Sequence, residues 1–330
     1  MNLFKGDITG IDLGRKYVKL VQCNSKGGSV TIKKAALIEL PDSYAEDTFL
    51  DIALDAINKN RKINKISLNN VALVCPKEYY TSINVTLPNM PKNDLIAALE
   101  WEVKKSSNIE PENINFDYYP NIVSDRQTEY LVYYAEKVKM DMLVAKFNAY
   151  KIKLKYIDVE DMAEVACFNS LYSDDGTVKA FFDIGVTQSR FIIAKSGTVF
   201  LHRTLTDSLK NLYEMFKSEI FENLTYKEAL ELRGFKDPTA KDLLINYLND
   251  IIFEINRSVD YFKANYRMPA PTNIFLSGGL FKIPGVYEYF KNNLSSPVTL
   301  NNVLELCSYK DEKLCECGFC FNLALGVALR

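Results

Sequence analysis

"ITGIDLGRKYVKLVQ" occupies residues 8–22. An apolar run closes on Asp12-Leu13-Gly14, and a second run starting at Tyr17 alternates apolar with polar residues, the pattern of two strands joined by a tight turn. Together with "SVTIKKAALIEL" after the "NSKGG" turn, residues 8–40 read as a three-stranded meander. About 170 residues later the same unit returns in "KAFFDIGVTQSRFIIAKSGTVFLHRTL": strand, Asp-Ile-Gly turn, strand, Ser-Gly-Thr turn, strand. One supersecondary unit repeated once, at that distance, implies two related lobes rather than a solenoid.

The 330 residues are enough for two such lobes. Forty basic against 42 acidic side chains leave a net charge of −2 with no long single-sign run, so the electrostatic footprint of a nucleic-acid binder is missing. No run of 18 uncharged apolar residues and no export signal is legible, which predicts a cytoplasmic protein that does not span a membrane. The seven cysteines are expected to be thiols. Among Cys307, Cys315, Cys317 and Cys320 only the last two have the usual two-residue zinc gap. The single histidine, His202, excludes most histidine-based catalysis and reads as a strand residue.

Between the repeats, Phe49, Ile52, Ala53 and Ile57 recur at helical spacing, and "NVALVCP" is a short buried strand. From Tyr79 to Tyr156 the texture changes to alternating and aromatic-rich strands with two helices, read as a small inserted α+β module. Thr225 and Glu228 are spaced as a capping box. Leu244, Leu248, Ile251, Ile255, Val259 and Phe262 form one stripe of a long core helix.

A turn that holds a polyphosphate needs a glycine, so that backbone N–H groups approach the oxygens, and a carboxylate for the accompanying Mg²⁺. Asp12 with Gly14, and Asp183 with Gly185, supply both parts in matched lobes. Ser277-Gly278-Gly279, after the apolar "NIFL", adds a backbone that can lie flat against a nucleotide.

"GIDLGRKYVKLVQ", "FFDIGVTQSRFII" and "NIFLSGGLFKIPGVYEYFKNNL" resemble the first phosphate, second phosphate and adenosine motifs of the actin-like ATPase superfamily. "VTLPNMPKNDLIAALEWEVKKSSNIEPENINFDYYP", "YIDVEDMA" and "ALGVALR" extend the likeness over nearly the whole chain to the PilM family of type IV pilus assembly proteins, and more distantly to the division protein FtsA. The resemblance implies an α/β, actin-like two-lobe fold of duplicated ribonuclease H-like domains. Its first subdomain would take residues 1–78 and 157–176, the inserted module 79–156, the second subdomain 177–212 and 268–330, and a helical subdomain 213–267. It also implies ATP with Mg²⁺ in the cleft, the metal at Asp12 and Asp183. The nucleotide would be contacted by Asp12, Gly14, Arg15, Lys16, Tyr17, Lys19, Asp183, Gly185, Thr187, Gln188, Arg233, Ser277, Gly278 and Gly279. The implied partner is the cytoplasmic N-terminal tail of PilN, and through it PilO and the pilus motor at the inner face of the cytoplasmic membrane, with a homo-oligomer as a further expectation.

Relatives carry small hydroxyl residues where this chain has Arg15-Lys16-Tyr17, a Gly-Gly loop where it has Thr206-Asp207-Ser208, and an acidic residue where it has Leu230. These departures predict weak or absent ATP turnover. Glu160 falls where relatives place a residue that orients the attacking water, though an acidic residue at a helix start is also an ordinary dipole partner. An FtsA-like filament or a small-molecule kinase are the alternatives within the superfamily.

Overall fold

A computed structural model describes residues 6–42, 44–123, 125–219, 225, 228, 235 and 238–330. In it the opening stretch forms β1 (Ile8–Leu13) and β2 (Tyr17–Lys26), and β3 (Ser29–Glu39) completes an antiparallel meander. Helix α1 (Phe49–Asn64) carries the chain back to β4 (Val71–Val74), which lies parallel to β1, since a parallel neighbour needs a crossover. With β8 (Leu154–Asp158) beyond β4, the first sheet has the order β3-β2-β1-β4-β8. All six residues of β1 are buried because neighbours flank the strand on both edges and helices cover its faces.

The echo at residue 178 builds the same object. β9 (Val178–Ile184), β10 (Ser189–Lys195) and β11 (Thr198–Leu205) form the meander, and β12 (Asn273–Gly278) and β13 (Val298–Leu300) continue it in parallel, giving the order β11-β10-β9-β12-β13. Strand for strand this repeats the first sheet, so the duplication expected from the two Asp-aliphatic-Gly turns is present. Each meander feeds a parallel strand, the topology of a duplicated ribonuclease H-like lobe. Helix α5 (Leu209–Glu219) and the long α6 (Pro238–Tyr266) cover the second sheet, and the six stripe residues of α6 are all buried in its core. Helix α7 (Val286–Asn293) precedes β13. Thr225 and Glu228 make the expected capping box: each backbone N–H donates to the other's side chain, at 3.0 and 3.3 Å.

A third sheet, β5-β7-β6, made of β5 (Thr81–Pro88), β6 (Ile114–Val123) and β7 (Gln127–Glu136), carries α2 (Lys92–Ser107) on one face. This sheet and its helix lie within the 79–156 read from the sequence as an inserted module. Helix α3 (Lys137–Ala149) sends Leu143 and Phe147 into the core under the first sheet, and β8 is a strand of that sheet. Periodicity identified both elements and was silent on which sheet they join.

The end of the chain also crosses over. After the short helices α8 (Val303–Leu306) and α9 (Glu312–Cys315), α10 (Asn322–Ala328) is buried at every residue, against β1 and α4 (Glu160–Leu171) of the first lobe rather than with the rest of 268–330. Two glycines allow this approach. A Cβ on Gly10 would overlap the Ala324 carbonyl, and one on Gly326 would overlap that of Ala163. No helix among the described residues is long and apolar enough to cross a membrane.

Candidate functional site

The two meander turns face each other across a cleft of about 310 Å³ between the lobes, at the lower end of the range for small-molecule sites. Asp12, Gly14, Arg15, Tyr17, Lys19, Asp183, Gly185, Thr187, Gln188, Gly278 and Gly279 all line it, so most of the residues singled out from the sequence are brought together. Arg233 and Leu230 lie outside the described residues.

Lys16 and Ser277 are not in the lining. Lys16 is buried on the far side of the turn, where its Nζ meets Asp42 at 2.6 Å, Glu39 at 2.9 Å and the Leu40 carbonyl at 3.0 Å. Ser277 is buried behind the wall, donating to Asp183 Oδ1 at 3.0 Å. Arg15 reaches the cleft but is committed elsewhere, paired with Glu46 at 2.7 Å and Glu78 at 2.9 Å with its guanidinium over the Phe49 ring. Asp207 does not line the cleft either. Ser208 next to it caps α5.

The glycines have distinct reasons. Gly278 sits at φ +96°, and a Cβ there would run into the backbone of Ile184 on the adjacent β9, so only glycine lets β12 lie flat against β9 at the turn. A Cβ on Gly14 would stand 2.5 Å from the Tyr17 carbonyl oxygen and 2.6 Å from Lys19 Nζ.

The electrostatics of the cleft floor follow from register. Asp12 pairs across β1/β2 with Lys19, and Asp183 pairs across β9/β10 with Arg190. Each aspartate therefore points the same way as a cation seven residues on: Lys19 Nζ lies 2.9 Å from Asp12 and Arg190 Nη2 lies 2.8 Å from Asp183. Arg190 also ion-pairs with Glu160, whose carboxylate accepts from Gln188 at 3.1 Å and from Tyr80 at 3.4 Å. Burial works against the Lys19 and Arg190 charges, but Asp12 for the first, and Glu160 and Asp183 for the second, outweigh it and raise both pKa values. Burial, only partly offset by Arg190, holds Glu160 above the usual carboxylate range.

Two cations lining the cleft were not anticipated. Lys77, just after β4, lies over the Tyr80 ring at 4.2 Å, and Lys282, after the Gly278-Gly279 turn, lies over Tyr17 at 4.3 Å. Neither has a carboxylate within ion-pair distance among the described residues. Burial lowers the Lys77 pKa, and the more distant Asp161 and Glu160 only partly restore it. An anion entering the cleft meets these two ammonium groups uncompensated. Nothing in the sequence marks them; Arg190 was also not singled out, although it follows Asp183 by seven residues as Lys19 follows Asp12.

The carboxylates do not fit a divalent cation. Asp12 and Asp183, expected to hold Mg²⁺, are each paired with a cation, and Glu160 shares Arg190 with Asp183.

Behind the cleft, Asp161 is fully buried and binds both Tyr133 Oη (2.6 Å) and His202 Nδ1 (3.1 Å). His202 is a strand residue, as expected, in β11; burial keeps its pKa below the ordinary value. All seven cysteines are thiols, and Cys320 lines the cleft.

A family model described as type IV pilus assembly protein PilM matches residues 10–330. Among solved structures, a PilM–PilN type IV pilus biogenesis complex is similar over 99% of both chains, with a TM-score of 0.81 at 20% identity. The ethanolamine utilization protein EutJ from Carboxydothermus hydrogenoformans has a TM-score of 0.51 at 15% identity, over 100% of this chain and 91% of that one. MreB5 of Spiroplasma citri bound to AMPPNP has 0.50 at 12%, over 94% and 97%. At these identities the likenesses establish the fold, which is actin-like. A search of curated proteins finds no significant match. With nearly its whole length matched by the family model, the chain belongs to the type IV pilus assembly protein PilM family.

Proposed function

We propose that the chain is an ATP-binding scaffold of the type IV pilus inner-membrane assembly complex, seated at the cytoplasmic face and holding the N-terminal cytoplasmic tail of PilN. The observation that carries this reading is the likeness to the PilM–PilN complex along 99% of the chain. Through that tail the scaffold joins PilO and the pilus motor. The working division is a first lobe of residues 6–80, 137–171 and 322–330, an inserted module of 81–136, a second lobe of 177–219 and 268–300, and α6 as the core of a helical subdomain.

The best place for a peptide is an open groove of about 200 Å³ where the module meets the first lobe, lined by Tyr119, Tyr133, Ala135, Met140, Ile157 and Val159 among others. The groove is mostly apolar, and β6 beside it is an edge strand of its sheet, so a tail can add both side-chain burial and strand-type hydrogen bonds. The nucleotide cleft supports binding more than turnover, because Glu160 is already engaged by Arg190, Gln188 and Tyr80.

Calorimetry with a synthetic peptide of the PilN tail tests the reading. Binding on the order of micromolar is expected, with Met140→Glu weakening it at least about tenfold. Absence of heat with the wild-type chain would overturn the proposal.

A further inference from the structure

In an actin-like cleft the triphosphate is expected to arrive with a divalent cation held, through waters, by the turn carboxylates. Here the charges are already arranged. Arg190 is 4% exposed and its guanidinium bridges two carboxylates, Asp183 and Glu160, one from each lobe. Lys19 pairs with Asp12 alone and feels Asp183 beyond it. A divalent ion placed among these carboxylates would stand beside the buried Arg190 and the partly buried Lys19, and inside a protein such repulsion is far larger than in water. Breaking the Arg190 bridge to make room would leave a buried guanidinium without its partners, which is a strongly unfavourable exchange.

The same groups are well placed for the phosphates themselves. Arg190 Nε is buried and has no hydrogen-bond partner, a donor in the wall of the cleft that a phosphate oxygen would satisfy. Lys77 and Lys282 lie over tyrosine rings at the cleft wall, with no carboxylate at ion-pair distance among the described residues.

We infer that this cleft binds a nucleoside di- or triphosphate without a divalent metal, with Lys77 and Lys282 supplying charge, and Arg190 Nε a hydrogen bond, where Mg²⁺ acts elsewhere in the fold. Arg190 is the determinant, since its guanidinium, with Gln188 beside it, ties the second-lobe turn to the first-lobe helix that carries Glu160 and keeps one donor unsatisfied. The inference rests on the nucleotide-binding reading above and sharpens it.

The test is titration calorimetry of the 330-residue chain with ATP, and with ADP, in buffer containing Mg²⁺ and in buffer containing EDTA. The expected result is affinities that agree within about fivefold, less than 1 kcal/mol. A loss of more than about fivefold in EDTA overturns the inference while leaving nucleotide binding intact. Binding in neither buffer removes the nucleotide reading itself, and this inference with it. Arg190→Thr gives a second readout: its affinity in EDTA is expected to fall at least about tenfold, with Mg²⁺ restoring part of the loss. An Arg190→Thr chain that folds by circular dichroism and binds ATP equally in both buffers also overturns the inference. If that variant does not fold, the wild-type comparison decides alone.

Discussion

Glu160 and Asp161 are consecutive residues at the start of α4, and their carboxylates serve opposite sides of the molecule. Glu160 takes Arg190 and Gln188 from the cleft, whereas Asp161 takes Tyr133 from the inserted module and His202 from the second lobe. One helix terminus, where negative charge is favoured, thus pins three parts of the chain together.

Tyr133→Phe therefore tests the junction without touching the cleft. It removes one of the two donors to a fully buried carboxylate, at an expected cost of about 1–3 kcal/mol in urea unfolding. Nucleotide affinity should stay within about twofold of wild type. A change in affinity with unchanged stability would contradict this placement.

Glu164, one turn further along α4, is buried and accepts from Asn322 at 3.3 Å. Burial, with Asp183 adding to it, raises its pKa from 4.5 to about 7. The folded state thus binds this proton more tightly than the unfolded one, so its contribution is full below about pH 4.5 and is lost as pH rises through about 7. His202 works in the opposite sense, since a lowered pKa costs stability as pH falls below 6.5. Comparing Glu164→Gln with wild type isolates the first effect. The two should be nearly equal at pH 5, and the variant should be more stable by about 3 kcal/mol at pH 8, measured by denaturant midpoints.

Gly278→Ala should be among the most damaging single changes. It combines a positive φ with a Cβ overlapping the Ile184 backbone, and strain plus displacement of β12 predicts a loss of about 3 kcal/mol or more. Gly185→Ala is the control, because its Cβ would stand 3.0 Å from a single carbonyl oxygen, of Gln188. Thermal unfolding that ranks the two in the other order would refute this account of the turn.

The cations of the cleft should divide into two classes. Lys77→Gln and Lys282→Gln are expected to weaken ATP binding about 5- to 50-fold each, as a charged hydrogen bond is lost. Arg15→Ser and Lys16→Met should leave affinity within about threefold, since their side chains are committed to Glu46, Glu78, Glu39 and Asp42. Lys16→Met should instead lower stability. Equal effects in both classes would mean that the turn rearranges on binding.

The lobes and their acidic turns were legible because they rest on local signals, a tight turn and strand alternation repeated in "GIDLG" and "FDIG". What was not legible depended on contacts distant in sequence. Strand alternation identifies β8 as a strand but not its pairing with β4, and helical spacing identifies α3 but not the core that Phe147 enters. In the cleft, Asp12 and Asp183 were found from their turns, while Lys77 and Lys282 follow ordinary segments and reach the site only because the two sheets face each other. Lys16 lies outside the cleft lining for a related reason: Glu39 and Asp42, from beyond the turn, draw its ammonium to the far side.

Helix α10 has a bearing on how the protein is made. Its seven residues complete the core beneath β1, with Gly10 and Gly326 shaped for the contact. Roughly 250 residues separate β4 from α10, a delay on the order of ten seconds or more on the ribosome. During that time the inner face of the first sheet lacks α10 and has only α4 to cover it, and the second lobe, whose core lies within residues 178–319, can be assembled before the first. The lobe that emerges first is the one finished last, which makes β1 and β4 the segments most exposed to misassociation during synthesis.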